Sequence, residues 1–434
     1  MTRIVLVGAG SVEFTRNLLG DFLSYPELHD AEIVLHDIDP DRLATARRMA
    51  EWTADALKAK PRIETHIDRR KAFQGADVVV DTIQVGGARA TQLDFDIPAR
   101  FRLRYTINDT INVGGVFRGL RTIPVVLGIV RDIEEVCPDA WFLNYTNPMS
   151  MLIWAISERS QVKTVGLCHS VYWTVHSIGE YIDVPFGEID HLSAGVNHLA
   201  FLLRIEHDGQ DLYPVLDKAV RDGRVPPDDL VRADLYRRFG YYPTESSEHH
   251  AEYNPWFIPK GDLVERFNVP IGEYLSRVAH NLDEFAETKR RLDAGEPFEI
   301  EQSGEYAAVI VHSLLTGAPA RIVANVPNRG SLIPNLLADA CVEVPAMVDG
   351  LGVHPTAPGP LPPQCAAYIH PAVDTQALTV RAALDEDRDA IYHAVMQDPI
   401  VQARLTLDEV WQMTDELISA EEEWLPAWLG GAAG

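Results

Sequence analysis

Arg3-Ile-Val-Leu-Val-Gly8-Ala-Gly10-Ser11-Val12 is the stretch that decides the fold. Its opening residues are mostly apolar and β-branched, as in a parallel strand buried on both faces, and the run then breaks into a glycine-rich turn. Phe14 to Leu23, which follows, has helical spacing. A tight turn between such a strand and a helix aims free backbone N–H groups and the positive end of the helix dipole at a pyrophosphate. Gly8, Gly10, Ser11 and Val12 are therefore the expected dinucleotide-binding loop. Glu13 stands where the third glycine of the GxGxxG fingerprint would be, so the motif alone also suits a tight turn in some other α/β protein. A second apolar run, Ile33 to Leu35, ends at His36-Asp37, 27 residues beyond Gly10. A carboxylate there can accept hydrogen bonds from an adenosine ribose, and Asp37 favours NAD over NADP.

Strand and helix signals go on alternating downstream. Val78-Val-Val80 leads through Asp81-Thr-Ile-Gln84 to Val85-Gly-Gly87, where the glycines let backbone approach a cofactor and Gln84 becomes a further contact. A helix over Thr122 to Val136 precedes a strand at Trp141-Phe-Leu143, with Asn144-Tyr-Thr-Asn147-Pro148 as its exit loop. This alternation predicts an NAD-binding domain over residues 1–200, a Rossmann-type doubly wound parallel sheet. Ligands of such sheets bind beyond the carboxyl ends of the strands, so the loops ending at Gln84, Asn147 and Cys168 are expected to share one crevice. From Phe201 the pattern changes to a strand signal over 201–206, a polar helical stretch over 227–239 and helical periodicity over 271–292. Residues 201–434 read as a second, mixed α+β domain for substrate, metal and oligomer contacts. The Pro- and Gly-dense segment from Val342 to Cys365 reads as an ordered surface excursion with Glu343-Val-Pro345 extended.

A chain of 434 residues, 46% apolar, can build a sizeable core and more readily two domains than one. Its formal charge of −26 argues against nucleic acid and anionic membrane surfaces as partners. No apolar stretch approaches the roughly 20 residues needed to cross a bilayer. The N-terminus enters a strand without a signal-peptide pattern, and the expected location is the cytoplasm. The four cysteines, Cys137, Cys168, Cys341 and Cys365, are too few and too scattered for a disulfide scaffold, which fits a reducing compartment.

Two of the chemistry-bearing residues close apolar runs: Cys168 ends Val165-Gly-Leu, and His198 follows Ala194-Gly-Val-Asn197. Taken singly, either suits a core position. Together at the ends of neighbouring strands they make a metal pair, and thiolate plus imidazole suggests zinc or another transition metal more than magnesium. Two protein ligands leave positions open for substrate hydroxyls. His169 could be an acid, a hydrogen-bond donor to a sugar, or a strand-end residue facing solvent. Arg118 and Arg121 could grip a polar ligand, although arginines at a helix start are usually solvated. The run Thr244-Glu-Ser-Ser-Glu248-His249-His250-Ala-Glu252-Tyr253-Asn-Pro-Trp256-Phe257 mixes titratable and aromatic side chains as a sugar site does. A surface or subunit-contact loop is the competing reading.

Gly8-Ala-Gly-Ser11, the run from Asp109 ending Gly119-Leu-Arg-Thr-Ile-Pro124, Asn144-Tyr-Thr-Asn-Pro148, Cys168-His-Ser-Val171 and Gly195-Val-Asn-His198 resemble glycoside hydrolase family 4. Asn325-Val-Pro-Asn328, Val342-Glu-Val-Pro345 and Leu361-Pro-Pro-Gln-Cys365 extend the resemblance over nearly the whole chain. It implies a fold related to lactate and malate dehydrogenases, bound NAD, a divalent metal that is manganese as a rule, and homodimers or homotetramers. Cys-His-Ser-Val is similar to the α-galactosidase group, whereas phospho-glycosidases carry Cys-Asp or Cys-Asn. The implied chemistry departs from the two-carboxylate rule of glycosidases. Sugar C3 is oxidised by NAD, the acidified C2 proton is removed, the aglycone leaves, water adds and the hydride returns. By this resemblance Cys168 and His198 hold the metal, Tyr253 is the base with a pKa brought down by a nearby cation or the metal, and Asn147 contacts substrate. Tyr241 and Tyr242 lie close to Tyr253 in sequence, and His169 stands where relatives carry an acidic residue. An α-glucuronidase or α-galacturonidase is the nearest rival, with Arg118 as the cation for its substrate's carboxylate. A hydroxy acid dehydrogenase would be expected to carry His-Gly where this chain has His198-Leu199, and a non-catalytic NAD-binding regulator would be expected to lack Cys168 or His198.

Overall fold

The computed structural model describes residues 2–430. Its parallel strands are β1 (Arg3–Val7), β2 (Glu32–His36), β3 (Arg62–His66), β4 (Val78–Asp81), β5 (Trp141–Asn144) and β6 (Lys163–Gly166). They lie side by side in the order β3-β2-β1-β4-β5-β6, the doubly wound arrangement of a Rossmann sheet. Ile4, Val5, Ile33 to Leu35, Val79 and Val80 are fully buried, which is why these strands read as unbroken apolar runs. The helices that position the site are α1 (Val12–Leu23), α2 (Gly87–Arg100), α3 (Val113–Val136), α4 (Met149–Arg159) and α5 (Ser170–Ile182). In the second half they are α6 (Ser247–Glu252), α7 (Glu273–Ala294), α8 (Pro363–Asp385) and α9 (Leu407–Ala420).

The second half extends the same sheet. The strands β7 (Asp190–Val196), β8 (Leu199–His207), β9 (Tyr242–Pro243), β10 (Ala320–Pro327) and β11 (Cys341–Asp349) continue it in the order β9-β8-β7-β11-β10-β6, giving thirteen strands with two short ones on the side. All these added pairings are antiparallel. Two joints are narrow: β10 meets β6 only at Asn325 and Gly166, and β11 meets β7 only at Glu343 and Gly195. Residue 201, where the sequence pattern changes, lies inside β8, the second strand of the β7–β8 hairpin. The apolar core runs through both halves, with α8 packed on α3 and α4.

Three sequence expectations change. The segment from Val342 is no surface excursion: β11 is an interior strand with Val342 and Val344 fully buried. Pro345 is tolerated because it falls between the single pair with β7 at Glu343 and the pairing with Gly352–Pro355 that starts at Ala346. Pro363 then opens α8, where a proline's missing N–H costs nothing. The helix expected from Thr122 begins at Val113, and α3 is long and apolar enough to cross a bilayer, with a mean hydropathy of 1.5 over its most apolar window. That window is 78% buried inside the protein, so α3 is a core helix.

Arg121 and Arg118 are not solvated. The first turns of α3 are covered by α2 and by the chain leaving α9, which leaves Arg121 1% exposed. Its guanidinium donates to both oxygens of Asp94 on α2 (3.1 and 2.7 Å), to Glu421 (2.8 Å) and to the carbonyl of Val85 (3.2 Å). One cation thereby ties together α2, α3, the loop after β4 and the C-terminal helix. Removing one partner of a buried ion pair leaves uncompensated charge, typically at about 3–5 kcal/mol. Arg121→Ala should lose stability on that scale in urea unfolding followed by circular dichroism; a loss under about 1 kcal/mol, the range of exposed pairs, would contradict this account of the clamp.

Candidate active site

The loop between β1 and α1 is shaped by backbone. Gly8, at φ +81°, and Ala9 donate their N–H groups to the His36 carbonyl, both at 3.0 Å, and Ser11 donates to Gly8. Gly10 donates to Asp37 Oδ2 at 2.7 Å, while Asp37 Oδ1 accepts from Asp39. A Cβ on Gly10 would stand 2.6 Å from Asp37 Oδ2, so only glycine lets this carboxylate close onto the loop. The N–H groups of Val12 and Glu13, at the start of α1, have no acceptor among the described residues, because Ser11 does not cap the helix with its side chain. Free N–H groups at a helix start can receive an anion. Beside Asp37, Ile38 is 85% exposed, an apolar face that a flat heteroaromatic ring would cover. Gln84 lies past β4, with its amide on Thr91.

The exits of β4, β5 and β6 sit side by side because those strands are neighbours. Thr146 donates to Asp81 and to the Ile83 carbonyl, fixing the β5 exit to the β4 exit. Asn147 accepts from the Met149 N–H through Oδ1 at 3.3 Å, and its amide nitrogen has no bond among the described residues. Cys168 follows β6 by two residues. His198 occupies the two-residue turn between β7 and β8 at φ +62°. These elements bring the donor atoms of Cys168, His198 and Glu245 within 4.8 Å of one another, and those of Asp109, His198 and His249 form a second such group.

Hydrogen bonding fixes the chemistry of His198. The Thr110 hydroxyl donates to Asp109 at 2.7 Å, so its oxygen is left to accept from Nδ1 of His198 at 3.0 Å. In the neutral ring this leaves the lone pair on Nε2, which stands 3.7 Å from Glu245 Oε2. A lone pair facing a carboxylate beside a thiol is a donor set made for a cation. Burial works against charge on Glu245, but His198, His249 and His169 outweigh it and hold its carboxyl down to about 2. The Cys168 thiol is pushed well up by burial, with Glu245 and Glu343 adding to the effect, so a cation bound here would displace its proton.

Of the adjacent histidines only His249 faces this cluster. Its Nδ1 lies 2.8 Å from the Ser246 hydroxyl and 3.4 Å from Glu245, and burial lowers its pKa to about 4. His250 turns away, placing Nε2 on the Thr244 carbonyl at 2.7 Å and stacking on Tyr368. The Thr244–Phe257 run is thus largely interior, though Trp256 is exposed. Tyr253 puts its ring against His249 and His250, and its buried hydroxyl, close to Thr110, has no hydrogen-bond partner. Burial, with Glu252 and Asp109 adding, keeps its pKa well above 10 in the protein alone, opposite to the lowering expected from sequence. Tyr242 is unavailable to the site, since its hydroxyl donates to Asp229 at 2.6 Å. His169 occupies the N-cap position of α5 without a side-chain cap bond; its side chain is 48% exposed, and its Nδ1 meets Glu305 Oε1 at 2.6 Å. Desolvation disfavours the charged ring, but Glu305 raises its pKa above the ordinary value. Ser11, Glu13 and Phe14 of the β1–α1 connection and His169, the neighbour of Cys168 in the chain, line one crevice of about 530 Å³. Arg118 is not a free cation: it is buried, donates to the Tyr274 hydroxyl at 2.7 Å and lies 3.6 Å from Asp109.

Sequence reasoning did not single out Glu245, Asp109 or Glu252. The i,i+4 spacing of Glu245 and His249 was the available signal. Glu252 gave none, because its partners lie some 145 positions away: it accepts from the N–H groups of Thr106, Ile107 and Asn108 and from the Thr106 hydroxyl. It thereby holds the turn that delivers Asp109 and Thr110 to His198.

Residues 3–184 match the family described as Family 4 glycosyl hydrolase, and residues 193–401 match the Family 4 glycosyl hydrolase C-terminal domain. The chain belongs to glycosyl hydrolase family 4. It is 40% identical over 430 residues to an alpha-galactosidase of Bacillus subtilis, covering 98% of this chain and 99% of that one. Among solved structures it superposes with a TM-score of 0.88 on a putative glucosidase of Bacillus subtilis, at 23% identity over 96% of this chain and 99% of that one. The TM-score is 0.84 against a 6-phospho-alpha-glucosidase from gut microorganisms in complex with NAD and Mn2+, at 18% identity over 98% of both chains. As a member of family 4 the protein is a glycoside hydrolase, and the dehydrogenase and regulator readings fall away.

Glu252→Gln places an amide NH2 among four donors, and leaving a buried donor without its acceptor costs about 1–3 kcal/mol. The expected outcome is faster hydrogen exchange at residues 106–110 with the rest of the sheet unchanged. Unchanged protection at those amides would remove Glu252 from this role.

Proposed function

We propose that this family 4 enzyme hydrolyses α-galactosides, with NAD at the β1–α1 end of the crevice and a divalent metal ion, manganese, at Cys168 and His198. The observation that carries the reading is the convergence of the Cys168 and His198 donors beside Tyr253 at the carboxyl ends of the parallel strands. The alpha-galactosidase relative supports the choice of sugar. The residues present fit both groups: the unpaired N–H groups of α1 suit a pyrophosphate, Asp37 and Ile38 suit an adenosine, and a thiol with an imidazole lone pair suits a transition metal. When bound, NAD supplies reversible hydride acceptance at sugar C3 and the metal ion polarises the C2 and C3 oxygens, which acidifies the C2 proton.

The chain's own residues carry the remaining roles. Tyr253 takes the C2 proton in this reading, a role supported by its buried and unpartnered hydroxyl. His169, with Nδ1 held by Glu305, has Nε2 left to protonate the departing oxygen. The Asn147 amide is free to bind a sugar hydroxyl.

A neutral sugar suits the charges better than a uronide. Arg118 is enclosed by Asp109 and Tyr274, Arg277 is engaged by Glu273 and Glu248, and Arg232 is paired with Asp229. A substrate carboxylate or phosphate would meet Asp109, Glu245 and Glu305 with no unpaired cation among these arginines to receive it.

Hydrolysis of 4-nitrophenyl α-galactoside beside the α-glucuronide and α-galacturonide, with NAD⁺, Mn2+ and a thiol reductant each omitted in turn, tests the reading. Release from the galactoside that needs all three, without NADH accumulating, is expected. Turnover of a uronide alone would transfer the substrate class, and silence on every glycoside would overturn the proposal. Tyr253→Phe should lower kcat by about a hundredfold or more, the usual contribution of a positioned base, with NAD affinity intact.

A further inference from the structure

We propose that Glu245 is a third protein ligand of the metal ion, an assignment that rests on the Cys168–His198 site read above. Its carboxylate oxygen lies within 4.8 Å of both Cys168 Sγ and the His198 ring nitrogen, and its separation from His198 Nε2 is 3.7 Å. Two ligands each about 2.1 Å from one ion stand about 3 Å apart at an octahedral angle and about 3.4 Å at a tetrahedral one, so a side-chain shift of a few tenths of an ångström brings this pair onto one ion. At 3.7 Å the two atoms stand beyond hydrogen-bond distance, and with Nδ1 turned to the Thr110 hydroxyl it is the Nε2 edge of the ring that faces the carboxylate. A shared cation satisfies both.

The mounting of Glu245 points the same way. Glu245 at φ +71° and His198 at φ +62° both hold the left-handed backbone conformation that side chains avoid. Such strain persists only where surrounding structure enforces it, and it concentrates at functional sites. Here the enforcing contact is Arg232, a buried guanidinium paired with Asp229, which donates to the Glu245 carbonyl. The backbone is pinned while the carboxylate is left facing Cys168 and His198.

The competing group, Asp109 with His198 and His249, is weaker, because the Asp109 carboxylate already accepts from Thr110 and lies against Arg118. Metal preference supplies a further reason. Thiolate and imidazole alone favour zinc, and manganese stands low in the affinity order for any such pair; a carboxylate oxygen shifts the set toward a harder ion. Thiolate and carboxylate together also neutralise a divalent charge in a largely buried pocket.

The test is Mn2+ titration of chelator-treated protein, read by the electron paramagnetic resonance of free Mn2+ and by calorimetry, for wild type, Cys168→Ser, Glu245→Gln and Glu245→Asp. NAD affinity serves as the folding control. Glu245→Gln is expected to lose about tenfold to a hundredfold in Mn2+ affinity, with NAD binding unchanged and the preference for Zn2+ over Mn2+ increased. Should Glu245→Gln misfold, Glu245→Asp, which keeps the charge and withdraws it by one methylene, carries the same expectation at smaller size. Wild-type Mn2+ affinity in a folded Glu245 variant, together with loss in Cys168→Ser, would overturn the ligand assignment and leave the site standing. Equal Mn2+ binding by wild type and Cys168→Ser, or none by either, would overturn the site itself and the assignment with it.

Discussion

Two single-pair joints in one sheet, Asn325 with Gly166 and Glu343 with Gly195, bring the strand ends that carry Cys168 and His198 together. Both glycines sit at close approaches, Gly166 to Asn325 across its joint and to α4, Gly195 to the facing strand of its own hairpin. A Cβ on Gly166 would run into Met149 Sδ and the Asn325 side chain, and one on Gly195 would run into Ala200. Cys168 lies two residues beyond the first joint and His198 three beyond the second, so their separation follows from how the antiparallel strands dock on the parallel ones. Glu343, which pairs with Gly195 on one side and with Asn325 on the other, is fully buried and accepts from Asn197 and Asn325. With burial dominant and both asparagines opposing it, its pKa rises to about 7.

The site concentrates groups that resist ionisation in the protein alone. Cys168 and Tyr253 are pushed up by burial and by neighbouring carboxylates, while Glu245 is held ionised by the imidazoles around it. A bound divalent cation would be the largest local charge and would reverse the balance for thiol and phenol alike. Binding and proton release are therefore coupled at this end of the crevice, whereas the α1 end relies on backbone N–H groups that do not titrate.

What could be read from sequence follows from how local each cause is. The buried parallel strands, the loop at Gly8 and Gly10, and the positions of Cys168 and His198 at strand exits are set by runs of a few residues, and pattern reveals them. The extension of the sheet was not legible: β11 carries Pro345 and lies in a Pro- and Gly-dense segment, and only its neighbours explain why that proline is harmless. Arg121 was misread because one of its partners is 300 positions away, and no helix-start rule anticipates a covering contact from residue 421. Glu245 stood inside a segment recognised as chemical, yet its role depends on a turn conformation imposed by Arg232. Asp109 depends on Glu252 in the same manner.

The reach of Arg121 also bears on how the chain is made. Synthesis runs from the N-terminus, and by the time β1 to β6 have left the ribosome Arg121 can have met Asp94 but not Glu421. The packing of α2 against α3, and with it the Val85 loop beside the crevice, stays unfinished until nearly the whole chain has emerged. A nascent chain that has not yet reached residue 421 carries the Rossmann strands without their last electrostatic latch, so the Arg121 clamp beside the β4 exit is completed only when the segment bearing Glu421 has been made.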